Sequence, residues 1–335
     1  MKHILVIRLS AMGDVAMTVP VIRALTAQHQ VRVTVVSRPF FEPFFKDIQN
    51  VEFFGVDLQN RHKGFTGLYR LFQDLKTTNI DHVADLHNVL RSKVVGSFFK
   101  LSGKKVATLD KGRKEKKALT RPENKTLKPL KSMHQRYADV FAELGFEVDL
   151  SKIVFPKKAV LHHEILNKVG NFSNKNIGIA PFAQYQTKSY PLDLMQKVVD
   201  KLAENPENKI FLFGGKSDLP NLEKLQNNYQ NVVITTGKLT FEQELQLIAN
   251  LDVMLSMDSG NAHIAAMYGV KTIVLFGATH PFLGFMPFGQ PFENALLPDL
   301  NKYPKLPTSV YGNKIVEGYQ DVMRTISPDD VVSKI

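Results

Sequence analysis

Short apolar segments alternate along the chain with segments whose apolar residues recur at helical spacing. In the first half, strands are predicted at residues 3–9, 31–37, 51–56, 82–86 and 105–109. Helices are predicted after the first strand up to about residue 28, over residues 65–77, and over residues 133–144 with Gly145 at the end. Strands that alternate with helices pair in parallel, so the pattern predicts an α/β sheet.

The same alternation begins again in the second half. Strands are predicted at residues 177–181, 209–213, 232–235, 253–256 and 271–276, and helices at residues 192–205, 240–250, 259–268 and 315–326. A chain of 335 residues suits two domains. We therefore expect two Rossmann-like domains, residues 1–165 and 166–335, with a linker within residues 151–176. Such sheets bind ligands beyond the carboxyl ends of their strands, so the domains should face a central cleft.

Composition narrows the class of protein. The chain contains no cysteine, which excludes disulfides and thiolate metal sites. Arg8 and Asp14 interrupt the first apolar run, so no signal peptide is predicted. The other apolar runs are too short to span a bilayer. These features favour a cytoplasmic protein.

Positive charge is concentrated in one stretch of the chain. The net charge is +11, and residues 91–136 alone contain fifteen Lys or Arg and three acidic residues. Such a stretch attracts nucleic acid, an anionic membrane surface or a phosphorylated substrate. A flexible, solvated basic loop without a partner is the alternative.

The loop after the first strand offers a candidate for acid–base chemistry. Asp14 follows Gly13 and stands at or near the start of the next helix. A carboxylate at the end of a strand could accept a proton from an attacking hydroxyl. Aspartate is also a preferred N-cap, so the position could be purely structural. The absence of a G-x-G-x-x-G sequence argues against a simple NAD enzyme.

Two positions in the second half favour phosphate binding. Residues 258–263, Asp-Ser-Gly-Asn-Ala-His, join a strand to a helix, and the N–H groups of a helix start bind anions. Lys188, in the loop after a strand, could reach a phosphate as a point charge. Asp258 or Ser259 could instead cap the helix. Lys188 could be a solvated lysine, and His263 a packed core residue.

Three motifs are informative when they are taken together. The first is Ile-Arg-Leu-Ser-Ala-Met-Gly-Asp at residues 7–14, continued by residues 18–20 and 23–25. The second is Asp85-Leu86-His87, followed by Arg91-Ser92, which taken alone could simply be a polar strand end and a solvated helix start. The third and most specific runs over residues 258–266 and leads into Gly269 and Leu-Phe-Gly-Ala-Thr-His-Pro at residues 275–281. Together they resemble glycosyltransferase family 9, the heptosyltransferases of lipopolysaccharide core assembly, over most of the chain.

The resemblance implies a GT-B fold and an inverting glycosyl transfer that requires neither metal nor cofactor. The donor would be ADP-heptose or another nucleotide sugar. The acceptor would be a lipopolysaccharide core or a similar anionic glycolipid, met at the cytoplasmic face of the inner membrane. By position in the motifs, Asp14 would be the catalytic base. Donor binding would fall to Lys188, Asp258, Ser259, Gly260, Asn261 and His263, and acceptor binding to Ser10, Gly13, His87 and Arg91.

Two other classes of protein remain open at the level of the sequence. A two-domain sugar-nucleotide epimerase has a similar architecture. A nucleic-acid-binding protein would explain the charge, but no helix-turn-helix, RRM or zinc signature accompanies it, so nucleic acid is not an expected partner. The chain also departs from the family pattern. It lacks the cysteines that many relatives carry after the last sheet strand, and Ala180-Pro181-Phe182-Ala183 replaces a more usual Pro-Gly start.

Overall fold

The computed structural model describes residues 1–152, 155–158 and 160–335. Its strands are β1 Lys2–Ile7, β2 Val31–Ser37, β3 Val51–Gly55, β4 His82–Asp85, β5 Lys105–Thr108, β6 Lys175–Ala180, β7 Asn208–Leu212, β8 Val232–Ile234, β9 Val253–Met257, β10 Lys271–Leu275 and β11 Ala295–Leu296. Its helices are α1 Met12–Ala16, α2 Thr18–Gln28, α3 Gly64–Lys76, α4 Leu90–Leu101, α5 Arg113–Thr120, α6 Met133–Leu144, α7 His163–Val169, α8 Leu192–Ala203, α9 Leu219–Gln226, α10 Phe241–Ala249, α11 Gly260–Met267 and α12 Pro328–Lys334. Within these ranges, none of the helices is long and apolar enough to cross a bilayer.

The chain forms two compact units that are not continuous in sequence. The first comprises Met1–Arg113 and Lys131–Pro156, and the second comprises Lys114–Leu130 and Lys157–Ile335. The segment Lys114–Leu130 therefore belongs to the second unit although it lies in the first half of the chain. From the sequence we expected a single boundary after residue 165 and did not predict that a segment of the first half would belong to the second unit.

The first unit is built on a parallel sheet in the order β3-β2-β1-β4-β5. The β-branched run of β2 favours extended backbone, and β1 and β2 are buried along almost their whole length. Helices α3 and α4 pack on this sheet through Leu71, Phe72 and Phe99. Burying each of these large side chains contributes roughly 1.5–3 kcal/mol. Helices α2 and α6 pack against each other and against β2, β4 and β5.

The second unit has a parallel sheet in the order β11-β10-β9-β6-β7-β8. Its core joins strand residues such as Ile179 and Leu255 to Val198 of α8 and Val331 of α12. The two strand orders are those of doubly wound α/β folds, as the alternating pattern predicts. The sheet architecture expected from the sequence is thus confirmed in both units.

The segment Lys114–Leu130 is held to the rest of the second unit by two lysine side chains and by a backbone bond from the N–H of Leu130 to the carbonyl oxygen of Phe282 at 2.9 Å. The ammonium of Lys125 donates to the carbonyl oxygens of Lys305 at 2.5 Å and Pro307 at 2.9 Å. Burial lowers the pKa of Lys125 to about 8. Lys116 is buried, with its Nζ 4.0 Å from the ring centre of Phe285. Some cations of residues 91–136 therefore hold the fold together. Because these residues also contain α4, β5 and α5, the alternative of a flexible loop is wrong for most of them.

Two features of the helix prediction were wrong. The closing helix expected at 315–326 is absent, and its range holds only a 3-10 turn, Val322–Thr325. The last helix begins later because Ser327 caps it, accepting from the N–H of Asp330 at 3.0 Å, and because Pro328 suits the first helical position. Helices α5, α7 and α9 were not anticipated, and α7 lies inside the expected linker. Of α4, only a helix start near Arg91 was considered, without bounds.

Candidate functional site

In each unit the candidate polar residues follow the two strands at which the sheet order reverses. In the first sheet these strands are β1 and β4, which lie side by side with Ile7 opposite Asp85. In the second they are β6 and β9, with Ala180 opposite Ser256. Doubly wound sheets bind ligands beyond the carboxyl ends of such strands, because the outgoing connections separate there.

An arginine and an aspartate form an ion pair after β1. The guanidinium of Arg8 is 2.6 Å from Asp14 Oδ2 and also donates to the carbonyl oxygen of Leu86 at 2.8 Å. The Arg8 side chain is only 6% exposed, whereas that of Asp14 is 31% exposed. The pair therefore fixes the Asp14 carboxylate while leaving part of it open to solvent.

Asp14 does not cap the helix in which it lies. It is the third residue of α1, whose N-cap position is Ala11, and no side chain caps this helix. The structural alternative offered by the sequence is therefore wrong, because the carboxylate faces Arg8 instead of the orphan N–H groups of α1. The proposed role as a base stays a prediction.

The connection after β4 is organised by a buried carboxylate. Asp85 is 1% exposed, and its Oδ1 accepts from the N–H groups of His87 at 2.9 Å and Asn88 at 2.8 Å. Its Oδ2 accepts from the hydroxyl of Ser92 at 3.0 Å, which ties the start of α4 to the same carboxylate. A buried carboxylate with three donors is well satisfied, so it holds His87 rigidly.

His87 is a neutral hydrogen-bond donor in this arrangement. Burial, followed by the charges of Arg8 and Lys111, lowers the pKa of His87 to about 4. Its Nδ1 faces the N–H of Leu9 at 3.4 Å. Because Nδ1 accepts there, the single proton of the neutral ring lies on Nε2. Arg8 thus acts on both candidate residues, Asp14 and His87.

The other residues predicted to bind the acceptor lie at or near the carboxyl edge of the first sheet. Ser10 lies in the connection from β1, and Gly13 lies within α1. Arg91 is the second residue of α4 and is exposed. Sequence reasoning overlooked Lys111, which is half-buried and whose pKa is lowered by burial and by the charge of Arg8. Its position shortly after β5 was the signal that could have identified it.

In the second unit, Lys188 is fixed by Asp258. The Nζ of Lys188 is 2.9 Å from Asp258 Oδ2, and the two side chains are 14% and 11% exposed. The hydroxyl of Thr279, after β10, donates to the same oxygen at 2.6 Å. The alternatives of a solvated Lys188 and of a capping Asp258 are therefore both wrong. Thr279 belongs to the third sequence motif but was not singled out.

Close backbone packing positions the Lys188 loop. The N–H of Ala278 donates to the carbonyl oxygen of Thr187 at 2.9 Å, and the hydroxyl of Thr187 donates to the carbonyl oxygen of Gly312. A Cβ at Gly277 would overlap the carbonyl oxygen of Thr187, so this contact requires glycine. The stem of Lys188 lies against Gly312, which accounts for its burial.

The turn at the start of α11 keeps its backbone N–H groups clear of side-chain caps. Ser259 is the N-cap residue, but its side chain makes no capping bond and lies 3.2 Å from the hydroxyl of Ser256. Gly260 and Asn261 form the first turn and are partly exposed. His263 is the fourth residue of α11 and is buried. This arrangement suits an anion at the helix start.

A metal ion is held by several side chains that bind it together. In the parts of the chain that the structure covers, no group of three His, Cys, Asp or Glu side chains is arranged to hold a metal ion.

Comparisons with known proteins identify the family of the chain. The family model for glycosyltransferase family 9 (heptosyltransferase) matches residues 68–313. The lipopolysaccharide core heptosyltransferase OpsX of Haemophilus influenzae is 24% identical over 294 residues, covering 84% of this chain and 80% of that protein.

Solved structures share the fold. A family 9 glycosyltransferase from Veillonella parvula has a TM-score of 0.75 at 19% identity, covering 99% of this chain and 96% of that one. The E. coli heptosyltransferase WaaC, solved with ADP-2-deoxy-2-fluoro heptose, has a TM-score of 0.66 at 15% identity, covering 99% and 98%. The expected GT-B fold is confirmed. The family match decides for glycosyl transfer over the epimerase alternative, and the chain belongs to glycosyltransferase family 9, the heptosyltransferases.

Proposed function

We propose that this enzyme transfers a heptose from ADP-heptose to an anionic lipopolysaccharide-core acceptor, with inversion at the anomeric carbon. One observation carries the proposal: the Asp14 carboxylate is held 2.6 Å from Arg8 and remains 31% exposed beyond the end of β1. A carboxylate that is oriented on one side and open on the other can receive a proton from a bound hydroxyl.

The proposed reaction is a single displacement. The acceptor oxygen attacks the anomeric carbon as its proton passes to Asp14. The bond between the anomeric carbon and the diphosphate oxygen breaks on the opposite face, and ADP leaves with the electron pair. General base assistance makes the acceptor oxygen a stronger nucleophile at the moment of attack.

We infer that the second unit stabilises the departing diphosphate. Lys188 supplies a cation that Asp258 and the packing of Gly312 hold in place. The N–H groups at the start of α11, around Gly260 and Asn261, supply donors that no side chain occupies as a cap. Preorganised donors and cations of this kind stabilise developing negative charge without a reorganisation cost. On this account the charge is balanced by the protein, and we infer that neither metal nor cofactor is required.

We infer that the first unit recognises the acceptor. The Nε2–H of neutral His87 can donate to a sugar hydroxyl or to an anionic oxygen, and Lys111 and Arg8 create a positive potential at this edge. That potential suits an acceptor that carries a carboxylate or a phosphate. A lipid-linked acceptor would place the enzyme at the cytoplasmic face of the inner membrane.

A transfer assay tests the function. The full-length protein is incubated with ADP-heptose and a core acceptor that ends in a carboxylated or phosphorylated sugar, and the product is analysed by mass spectrometry. We expect the acceptor to gain one heptose and ADP to appear in equal amount. ADP-glucose and UDP-glucose serve as matched donors. Transfer from these donors but not from ADP-heptose would contradict the proposed donor.

A further inference from the structure

We propose that the outer surface of α3 and α4 docks on an anionic lipid bilayer. This surface, the α3–α4 face, comprises the apolar side chains Phe65, Tyr69, Leu90, Val94, Phe98 and Leu101 together with the cations that surround them. It lies wholly within the first unit. The proposal concerns membrane association, and it rests on the proposed function only for the identity of the lipid-linked acceptor.

An apolar stripe runs the length of α4, exposed at its two ends and half-buried between them. Leu90 is 80% exposed and Leu101 is 85% exposed, at the first and last positions of the helix. Val94 and Phe98 continue the i, i+4 spacing from Leu90, so the four side chains share one side of the helix. The opposite side is buried in the core through Phe99. The stripe is about 16 Å long at 1.5 Å per residue, which lets the helix lie flat on a surface.

Aromatic rings from α3 extend the stripe sideways. The ring of Phe98 is 5.7 Å from that of Phe65 and 5.4 Å from that of Tyr69. Phe65 is 67% exposed and Tyr69 is 47% exposed. Exposed tyrosine beside phenylalanine and leucine is typical of side chains that enter the boundary between headgroups and acyl chains.

The charge around this face is predominantly positive. Residues 63–105 contain eight Lys or Arg and three acidic residues. Each of the acids is engaged: Asp74 pairs with Arg61 at 2.7 Å, Asp81 pairs with Lys2 at 3.7 Å, and Asp85 is buried. The exposed cations are Lys63, Arg70, Lys76, Arg91, Lys93, Lys100 and Lys105.

An anionic bilayer is the occupant that matches both properties. Lys93 and Lys100 neighbour Val94 and Leu101 in sequence, and their long stems allow the ammonium groups to reach headgroups while the stripe inserts. A second copy would oppose the same cluster of positive charge, which is unfavourable. A nucleic acid would match the cations but would leave the leucines exposed to water. Anionic headgroups above acyl chains satisfy the cations and the leucines together.

The α3–α4 face also begins beside the proposed acceptor site. Leu90 follows His87 by three residues, and Ser92 of α4 donates to Asp85, which holds the backbone of His87. A glycolipid anchored in the bilayer would therefore present its headgroup near the carboxyl edge of the first sheet. The face can thus deliver a membrane-bound acceptor to Asp14.

Vesicle co-sedimentation of the full-length protein tests the proposal. Vesicles of phosphatidylcholine alone are compared with vesicles that also contain phosphatidylglycerol, over a range of salt concentrations. We expect binding to the anionic vesicles and weakening with salt. Lys93→Gln with Lys100→Gln should weaken binding about 25-fold, at about fivefold for each lysine near the surface. Leu90→Ser with Leu101→Ser should weaken it more than about tenfold through the lost insertion.

Matched variants in the second unit keep the result specific. Lys224→Gln with Lys238→Gln removes the same charge, and Phe292→Ser with Ile315→Ser removes exposed apolar side chains. Both controls should bind like the wild type. The proposal is overturned if wild type binds neither vesicle, if it binds neutral vesicles equally well, or if the controls weaken binding as much as the α4 variants do.

Two further readouts separate this proposal from others. Sedimentation velocity compares the oligomeric states of the wild type and the leucine variant. If the wild type is a dimer, the leucine variant is a monomer and both bind vesicles equally, the face is a contact between copies and the proposal is wrong. Vesicle binding through α4 by a chain that transfers no heptose would uphold this proposal and contradict the proposed function. Transfer to a soluble acceptor by the leucine variant, at the wild-type rate, would support both.

Discussion

Replacing Asp14 by asparagine removes the proposed base while keeping the size of the side chain. An amide cannot accept the proton of the acceptor hydroxyl, so we expect turnover to fall about 100- to 10,000-fold, which corresponds to roughly 3–5 kcal/mol of barrier. The helix should not suffer from the loss of a cap, because the N-cap position of α1 is Ala11.

The same substitution has a structural cost that the ion pair defines. Arg8 is nearly buried and would lose its charged partner, but it keeps its bond to the carbonyl oxygen of Leu86 and can donate to the new amide oxygen. Breaking a fully buried pair costs about 3–5 kcal/mol. Because the Asp14 side chain is 31% exposed and water screens the pair, we expect only about 1–2 kcal/mol here. The melting temperature should fall by several degrees, and the protein should stay folded.

The assay combines initial rates at saturating donor and acceptor, the melting temperature, and the Kd for ADP-heptose. Asp47→Asn is the matched control, since it makes the same change in another arginine pair of the first unit, where Arg23 lies 2.8 Å from Asp47. The control should retain wild-type turnover. A folded Asp14→Asn protein whose turnover stays within a few-fold of wild type would refute the role of Asp14 as the base.

Three further outcomes follow from the site. Lys188→Gln should raise the Kd for ADP-heptose by about tenfold or more, because a charge-assisted contact is lost. Lys197→Gln, at an exposed lysine, should leave this Kd unchanged. Equal affinities of the Lys188 variant and the wild type in calorimetry would remove Lys188 from the donor site. Turnover should be unchanged by EDTA, and a complete loss restored by a divalent ion would contradict the proposed charge balance. The pKa of both His87 and His280 is lowered to about 4, chiefly by burial, so the unfolded chain takes up protons first as the pH falls below about 6.5. The free energy of unfolding should therefore decline as the pH falls from about 6.5 to 4, by up to roughly 3 kcal/mol per histidine. Urea titrations of a His87→Asn, His280→Asn variant at several pH values should show a shallower decline. The same decline in the variant and the wild type would contradict the assignment to these histidines.

The sheets could be predicted from the sequence because their signal is local. β2 is rich in β-branched residues, and its bounds agree with the prediction at both ends. Helix α6 was also predicted at its observed bounds, since Ser132 caps its start and Gly145 ends it in a left-handed conformation. The extent of α4 was not predicted because its two leucines, Leu90 and Leu101, are exposed at its ends, which blurs the contrast between buried and exposed positions on which helical periodicity depends.

For the site residues, too, positions along the chain could be predicted but tertiary contacts could not. The positions of Asp14 and Asp258 after strands could be predicted, because strand ends and turn residues are visible in the sequence. The ion pairs could not be predicted, since the contacts of Arg8 with Asp14 and of Lys188 with Asp258 depend on tertiary packing. The burial of Lys188 depends on Gly312, more than a hundred residues away along the chain. The exchange of Lys114–Leu130 into the second unit is likewise a long-range contact that no local pattern encodes.

The stereochemistry of the transfer tests the central claim most directly. Nuclear magnetic resonance of the purified product, formed from ADP-heptose by the wild-type chain, reports the configuration of the new glycosidic bond. A single displacement assisted by Asp14 predicts a configuration opposite to that of the donor, with no such product from Asp14→Asn. A product that retains the donor configuration would require a second displacement and would contradict the account.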